Sequence, residues 1–234
     1  MYKKLMILSL AVVMAACQSS TKSTSSDQDE AIAIFNGKNL EGWRGDSRIW
    51  SVKDGAIVGQ TTDENQIDHN TFLIYEKPFS DFELSFQYKI IGGNSGVQYR
   101  AKVLDESEFI VGGYQGDMEA GTNYSGILYE EKGRGILALR GEKVMIGEDG
   151  EKTVEQFSTG EAIQAKINME QWNSYRIVAN GERLQHFIND TNSIDVTDKE
   201  VGKRASSGIF ALQVHKGPNM KVFYKDIVVK PIVK

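Results

Sequence analysis

FELSFQYK, residues 82–89, is the stretch that decides the fold. Its apolar residues, Phe82, Leu84, Phe86 and Tyr88, occupy every second position, with polar residues between them. Side chains on a β-strand point alternately to its two faces, so this period of two predicts a strand with one buried and one polar face. The apolar face of such a strand needs a second layer to cover it.

The same alternation recurs along the chain. It is seen in residues 95–100, 174–179, 184–188, 210–215 and 222–229. Residues that accept a positive φ stand between the runs: Gly92-Gly93-Asn94, Asn180-Gly181 and Asn189-Asp190. Many short antiparallel strands joined by tight turns predict an all-β sandwich of two sheets or a barrel. The segment Glu161–Glu170 fits a short helix or a strand equally well.

Composition favours one globular domain without a nucleic-acid partner. The chain has 234 residues, of which 40% are hydrophobic and 25% charged, and its net charge is −5. Binding to phosphates needs clustered Lys and Arg, whereas here the basic residues are scattered among acids. No internal repeat is visible, so we predict a single domain over residues 31–234.

The N-terminus has the pattern of a bacterial lipoprotein. A basic start is followed by an apolar run and by Met14-Ala15-Ala16-Cys17, which predicts a signal peptide over residues 1–16 and lipidation of Cys17. Residues 17–30 contain no large apolar side chain and predict a flexible tether. We therefore expect an anchored protein of the cell envelope, at the periplasmic face or the outer-membrane surface. An unmodified Cys17 in the intact mass of the mature protein would contradict this.

Most familiar catalytic motifs are absent. The sequence contains no G-x-S-x-G, no P-loop and no H-E-x-x-H, and its three histidines show no metal spacing. What remains are amide, guanidinium, carboxylate and imidazole groups at the predicted outward positions of strands. These residues are Gln98, Arg100, Gln115, Asp117, Gln213 and His215. Such groups suit a hydroxyl-rich ligand, although each residue alone also fits a solvated strand face.

A second concentration of such residues lies in residues 112–140. Tyrosine rings there could stack on a sugar, carboxylates could transfer protons, and an arginine could hold a ligand oxygen. The tyrosines are Tyr114, Tyr124 and Tyr129, the acids are Asp117, Glu119, Glu130 and Glu131, and the arginine is Arg134. A glycine-rich pair of strands with a charged turn explains the segment equally well.

Short motifs resemble those of the 3-keto-disaccharide hydrolase domain family. They read, in order, FNGKNLEGW (35–43), WSVKDGAI (50–57), DFEL (81–84), GNSGV (93–97), GYQ (113–115), LYEEKGRG (128–135), WNSYRI (172–177), DVTD (195–198) and GIFALQVH (208–215). The resemblance implies a concanavalin A-like jelly roll that cleaves glycosides oxidised to a ketone at C3. Gln115 and Asp117 stand where a Glu and a Gln are common in another branch of the family. If that Glu is the base there, its role here shifts to Asp117 or Glu130, or is lost.

We expect the candidate residues named above to have these roles in cleavage by β-elimination and hydration. Asp117 or Glu130 would remove the C2 proton, while Arg100 and His215 would stabilise the enolate or protonate the leaving group. Hydroxyl groups would be bound by Gln98, Gln115, Tyr129, Arg134 and Gln213. A divalent metal ion held by carboxylates and His215 is an alternative stabiliser, although no spacing demands one.

Two other functions remain open from the sequence. A non-catalytic module of the same fold would bind glycans and leave 3-keto substrates intact. An ordinary glycosidase would need two acids at a fixed separation, and no strand here carries the Glu-x-Asp-x-x-Glu pattern of laminarinase-type jelly rolls.

Overall fold

The structure is a computed structural model that describes residues 30–233. The predicted signal peptide, Cys17 and the predicted tether up to residue 29 lie outside the described residues. No helix within residues 30–233 has the length and apolar character needed to cross a membrane.

Two sheets form a sandwich, which confirms the predicted all-β jelly-roll fold. The strands are β1 (Ile32–Ala33), β2 (Trp43–Arg44), β3 (Trp50–Lys53), β4 (Ala56–Gln60), β5 (Thr71–Phe79), β6 (Phe82–Ile91), β7 (Asn94–Asp105), β8 (Ile110–Glu119), β9 (Leu128–Glu131), β10 (Gly135–Ala138), β11 (Glu142–Ile146), β12 (Lys152–Gln156), β13 (Asn173–Asn180), β14 (Arg183–Ile188), β15 (Thr191–Asp198), β16 (Gly208–Val214) and β17 (Lys221–Pro231). The undecided segment contains a helix, α1 (Gly160–Gln164).

The large sheet has the order β12-β11-β15-β14-β13-β6-β17-β4-β3, with β1 added beside β17. The small sheet has the order β10-β9-β8-β7-β16-β5-β2. Neighbouring strands are antiparallel except for β11 and β15, which run parallel. Strands distant in sequence therefore lie side by side, and this brings the ends of β7, β8, β9 and β16 together on one face.

The core lies between the two sheets and follows the predicted alternation. In β6, Phe82, Leu84, Phe86 and Tyr88 are buried while the residues between them are partly exposed. Burial of such side chains contributes most of the favourable free energy of folding. His186 also lies in the core, between the hydroxyl groups of two tyrosines, and burial lowers its pKa to about 3. It is therefore a neutral structural residue.

Positive φ angles occur at each predicted turn. Gly92 and Gly93 join β6 to β7 with φ of 67° and 66°. Asn189 and Asp190 join β14 to β15 with φ of 47° and 62°. Gly181 begins the β13–β14 turn with φ of 57°. These angles match the tight hairpin turns that the sequence predicts.

The far end of the β7–β8 hairpin (residues 101–112, the distal hairpin) folds over the outer face of the small sheet. The backbone N–H of Phe72 in β5 donates to the carbonyl of Phe109 at the hairpin tip, at 3.1 Å. A second, smaller apolar cluster fills the space beneath the hairpin: Phe72, Ile74, Ala101, Val111 and Ala211. The hairpin thus covers one half of this face and leaves the other half open.

Arg100 lies where the hairpin bends, and its position corrects the sequence prediction. A register shift separates Tyr99 from Lys102 in the β7–β8 pairing, and Arg100 has a φ of 45°. The bulge turns the side chain away from Gln98 into a buried site, where Nη2 lies 2.8 Å from Oδ1 of Asp81. Its Nε and Nη1 donate to the carbonyl oxygens of Ser80, Gly181 and Ala205. Arg100 therefore ties strand ends together.

We expect Arg100→Met to lower the free energy of unfolding by about 3 kcal/mol or more, because it leaves a carboxylate with 14% exposure without its cation. Urea denaturation measures this change. Arg48→Met is the matched control: the Arg48 side chain is 71% exposed in its ion pair with Asp46, and its loss should leave the free energy of unfolding nearly unchanged. Equal costs in both variants would contradict the structural role of Arg100.

Candidate functional site

The open half of the small sheet's outer face forms a cleft of about 830 Å³. Its floor and walls come from β7, β8, β9 and β16 and from the loops beside them. The lining residues used below are Asn70, Asn94, Gln115, Asp117, Glu119, Tyr124, Tyr129, Glu131, Lys132, Gln213, His215 and Lys216. A cleft of this size and polarity is suited to a small polar ligand.

A chain of buried amides forms the cleft floor. Gln98 donates through Nε2 to Oε1 of Gln115, whose own Nε2 donates to Oδ1 of Asp117 at 2.6 Å. The second acceptor of Gln115 Nε2 is Oε1 of Gln213 at 3.5 Å, and Oε1 of Gln98 has no hydrogen-bond partner. The amides thus hold Asp117 in a fixed orientation.

Gly96 makes room for this arrangement. A Cβ atom at Gly96 would lie 2.5 Å from Cδ of Gln115, far inside van der Waals contact. The small residue therefore does not leave an empty space above the sheet, because the Gln115 side chain fills it. Any larger residue at this position would push Gln115 away from Asp117.

Asp117 is the most perturbed acid in the cleft. Its side chain is buried, with the residue only 6% exposed. Its pKa is raised to about 7: burial is the largest cause, hydrogen bonds from Gln115 and Asn94 oppose the rise, and nearby Glu119 and Glu131 add to it. A carboxyl group with this pKa exchanges its proton near neutral pH, which suits acid–base catalysis.

Glu131 brings a second carboxylate to the cleft, beside a cation. Its Oε1 accepts from Asn70 at 3.4 Å and lies 4.0 Å from Nζ of Lys132, and its Oε2 accepts from Gln213 at 3.4 Å. Lys132 follows directly in the β9–β10 turn, with its side chain 49% exposed. An acid and an ammonium group therefore stand together at one side of the cleft.

His215 lies on the exposed rim just after β16. Its Nδ1 is 2.6 Å from the carbonyl oxygen of Lys216. A carbonyl can only accept, so Nδ1 carries a proton and Nε2 is left for a ligand. The backbone of Lys216 in turn donates to Oδ1 of Asn70 at 3.0 Å, which fixes the rim loop.

Most of the predicted residues meet in this cleft. Gln115, Asp117, Tyr129, Gln213 and His215 line it, and Tyr124 stands at its edge. Gln98 lies beneath it, in contact with Gln115. The structure thus brings together the amides, one candidate base and the imidazole.

Glu130 and Arg134 do not reach the cleft, so the expectation that they share it is corrected. Glu130 lies between Tyr129 and Glu131 on β9, and neighbouring side chains on a strand point to opposite faces. It binds Nε of Arg134 at 2.6 Å, and Arg134 also pairs with Asp198 and Glu200. These residues form an ion-pair network that supports the β9–β10 turn. Arg100, described above, is likewise remote from the cleft.

Tyr114 is also unavailable to a ligand, in contrast to its predicted stacking role. It is buried in the core, and its hydroxyl donates to Asp198 at 2.5 Å.

Sequence reasoning missed several lining residues: Asn70, Asn94, Lys132 and Lys216. They stand in turns or at strand ends, where no periodicity marks the direction of a side chain. The pairing of β5, β16, β7, β8 and β9 in the small sheet is what brings them to one face.

A metal ion does not fit the residues present. Within residues 30–233 no three His, Cys, Asp or Glu side chains stand close enough to hold one. The proposed combination of carboxylates with His215 is therefore not assembled as a coordination sphere, and no step below depends on a metal.

Comparison with known proteins identifies relatives of the chain. Its sequence is 37% identical over 90 residues to a 3-keto-disaccharide hydrolase from Bacteroides thetaiotaomicron. That match covers 35% of this chain and 31% of the relative, so the chain spans about a third of the relative's length.

Solved structures support the fold. A protein from Parabacteroides distasonis proposed to be a glycosyl hydrolase is 20% identical, with a TM-score of 0.57, and the match covers 87% of this chain and 94% of that one. A carbohydrate-binding module from Bacillus subtilis is 16% identical, with a TM-score of 0.53, covering 81% and 95%. At these identities the likeness shows a shared sandwich fold.

The decisive match is to a family profile. The profile of the 3-keto-alpha-glucoside-1,2-lyase-like domain matches residues 30–230, which is nearly all of the described structure. The residues that line the cleft and the motifs quoted above all lie within this range. The chain belongs to the family of 3-keto-alpha-glucoside-1,2-lyase-like domains.

Proposed function

We propose that this protein cleaves 3-keto-glycosides in the small-sheet cleft. The observation that carries the proposal is a buried carboxyl group, Asp117, with a pKa near neutrality in a cleft lined by amides and a tyrosine. Family membership and the name of the Bacteroides relative supply the substrate class.

The chemistry begins at the carbon next to the ketone. A carbonyl at C3 makes the proton on C2 acidic, because the electron pair left on C2 spreads to the C3 oxygen as an enolate. Asp117 is the base in this proposal, since it is the cleft acid whose raised pKa makes its carboxylate a stronger base than an ordinary aspartate. Its hydrogen bonds to Gln115 and Asn94 orient it.

Cleavage follows when the enolate collapses. The electron pair forms a C1–C2 double bond, the C1–O bond breaks, and the leaving oxygen takes a proton. His215 supplies that proton as an imidazolium ion, and the ammonium group of Lys132 stabilises the negative charge on the C3 oxygen. Addition of water across C1 and C2 then completes a net hydrolysis.

Product formation distinguishes the proposed enzyme from the alternative function, a non-catalytic sugar-binding module of the same fold. The purified full chain is incubated with 3-keto-trehalose and with trehalose, and released sugar is measured. The enzyme releases product from the keto form alone. Binding without release would favour the module, and release from trehalose would favour an ordinary glycosidase.

We expect Asp117→Asn to reduce turnover of 3-keto-trehalose by about 100-fold or more, because the amide cannot accept the C2 proton. Asn has nearly the same shape, so circular dichroism should show an unchanged fold. Glu148→Gln, which removes an exposed carboxyl group outside the cleft, is the control and should retain the wild-type rate. A wild-type rate in Asp117→Asn would rule out this base.

The raised pKa of Asp117 also predicts the pH dependence of stability. Below about pH 4 the carboxyl is protonated in folded and unfolded chains alike. As pH rises to about 7, the unfolded chain releases this proton while the folded protein retains it, so the group's stabilising contribution is lost. The stability of Asp117→Asn relative to wild type should therefore rise between pH 4 and pH 8, by about 2–4 kcal/mol.

Denaturation at pH 4 and pH 8 measures this difference. The advantage of Asp117→Asn over wild type should grow between the two values, whereas Glu148→Gln should track wild type. A variant that loses stability relative to wild type as pH rises would show that the folded protein favours the charged carboxylate.

A further inference from the structure

The outer face of the large sheet, opposite the cleft, carries a cluster of lysines over two aromatic rings. The cluster consists of Lys89, Trp172, Lys221, Phe223 and Lys225, and we call it the basic aromatic patch. Cross-strand pairing builds it, because Phe223 in β17 stands beside Lys89 in β6. The odd positions of β17 place all three of its members on the same face.

The geometry of the patch is compact. The ring centroids of Trp172 and Phe223 are 6.2 Å apart. Nζ of Lys89 lies 4.5 Å from the Phe223 centroid and 5.5 Å from that of Trp172. Nζ of Lys225 is 4.4 Å from Trp172, and Nζ of Lys221 is 5.2 Å from Phe223. Cation–π attraction holds the ammonium groups at the ring faces without neutralising their charge.

The charge of the patch is unbalanced. Across residues 30–233 the lysines in ion pairs are Lys132, Lys143 and Lys203, so the patch lysines have no carboxylate partner. The positions next to Lys89 on the same face of β6 are Gln87 and Ile91, which are uncharged. Three unpaired cations gathered on one face of a protein with a net charge of −5 are complementary to an anionic partner.

We propose that the basic aromatic patch binds an acidic polysaccharide, with its carboxylate groups on the lysines and its sugar units beside Trp172 and Phe223. The ring faces hold the ammonium groups, which supply fixed charge, and the partly exposed ring edges supply an apolar contact for pyranose units. Both rings are only partly exposed and pack edge to face against one another on the outer face of the large sheet. That arrangement suits a chain lying across the sheet, whereas insertion into a lipid bilayer needs protruding apolar side chains.

Binding of polygalacturonate by the full chain tests the proposal. We expect Lys89→Gln/Lys225→Gln to weaken binding about tenfold or more at low ionic strength, because two charges near the ligand are lost. Lys77→Gln/Lys199→Gln is the matched control, since it removes the same charge from two exposed lysines away from the patch, in β5 of the small sheet and just after β15, and it should change binding less than about twofold. Phe223→Leu should also weaken binding, since it keeps an apolar side chain but removes the ring.

Two further probes separate the alternatives. Inorganic polyphosphate carries charge without sugar rings, and phosphatidylglycerol vesicles present an anionic membrane. Three results would each overturn the proposal: equal weakening by both double variants, polyphosphate binding as tight as polygalacturonate binding, and vesicle binding without polygalacturonate binding. All patch variants should cleave 3-keto-trehalose at the wild-type rate, so failure of the patch is distinguishable from failure of the cleft.

Discussion

Burial of one carboxyl group is the constraint on which the site depends. Asp117 sits in the floor of a cleft where its neighbours are mainly amides, which solvate a carboxylate less well than water does. The protein tolerates this because Gln115 and Asn94 donate to it. Gly96 in turn lets Gln115 lie flat against the sheet. A small residue, an amide and an acid on adjacent strands thus act as one unit.

The remaining architecture keeps that unit in place. The distal hairpin covers the apolar half of the small sheet and leaves the polar half accessible. The network of Glu130, Arg134 and Asp198 supports the turn that presents Glu131 and Lys132 to the cleft. Charges outside the cleft therefore still matter, because they fix the strands that form it.

The strand pattern of the sequence was sufficient to predict the sandwich, since alternation in β6 and turn residues such as Gly92 are local signals. It also placed Asp117 and Gln115 on one outward face. It was wrong about Arg100, because a bulge is a feature of strand pairing that local periodicity does not encode. It named Glu130 rather than Glu131 as a candidate base, since only the register with β8 decides which of the two neighbours faces the cleft.

The proposed mechanism depends on a raised pKa of Asp117, because a pKa near neutrality makes its carboxylate a stronger base than an ordinary aspartate. The most direct measurement is an NMR titration of the Asp117 side-chain carboxyl carbon in the folded protein, assigned by comparison with Asp117→Asn. The account predicts a midpoint at a pKa of about 7. A midpoint near the ordinary aspartate value of about 4 would contradict it, because the cleft would then solvate the carboxylate as water does.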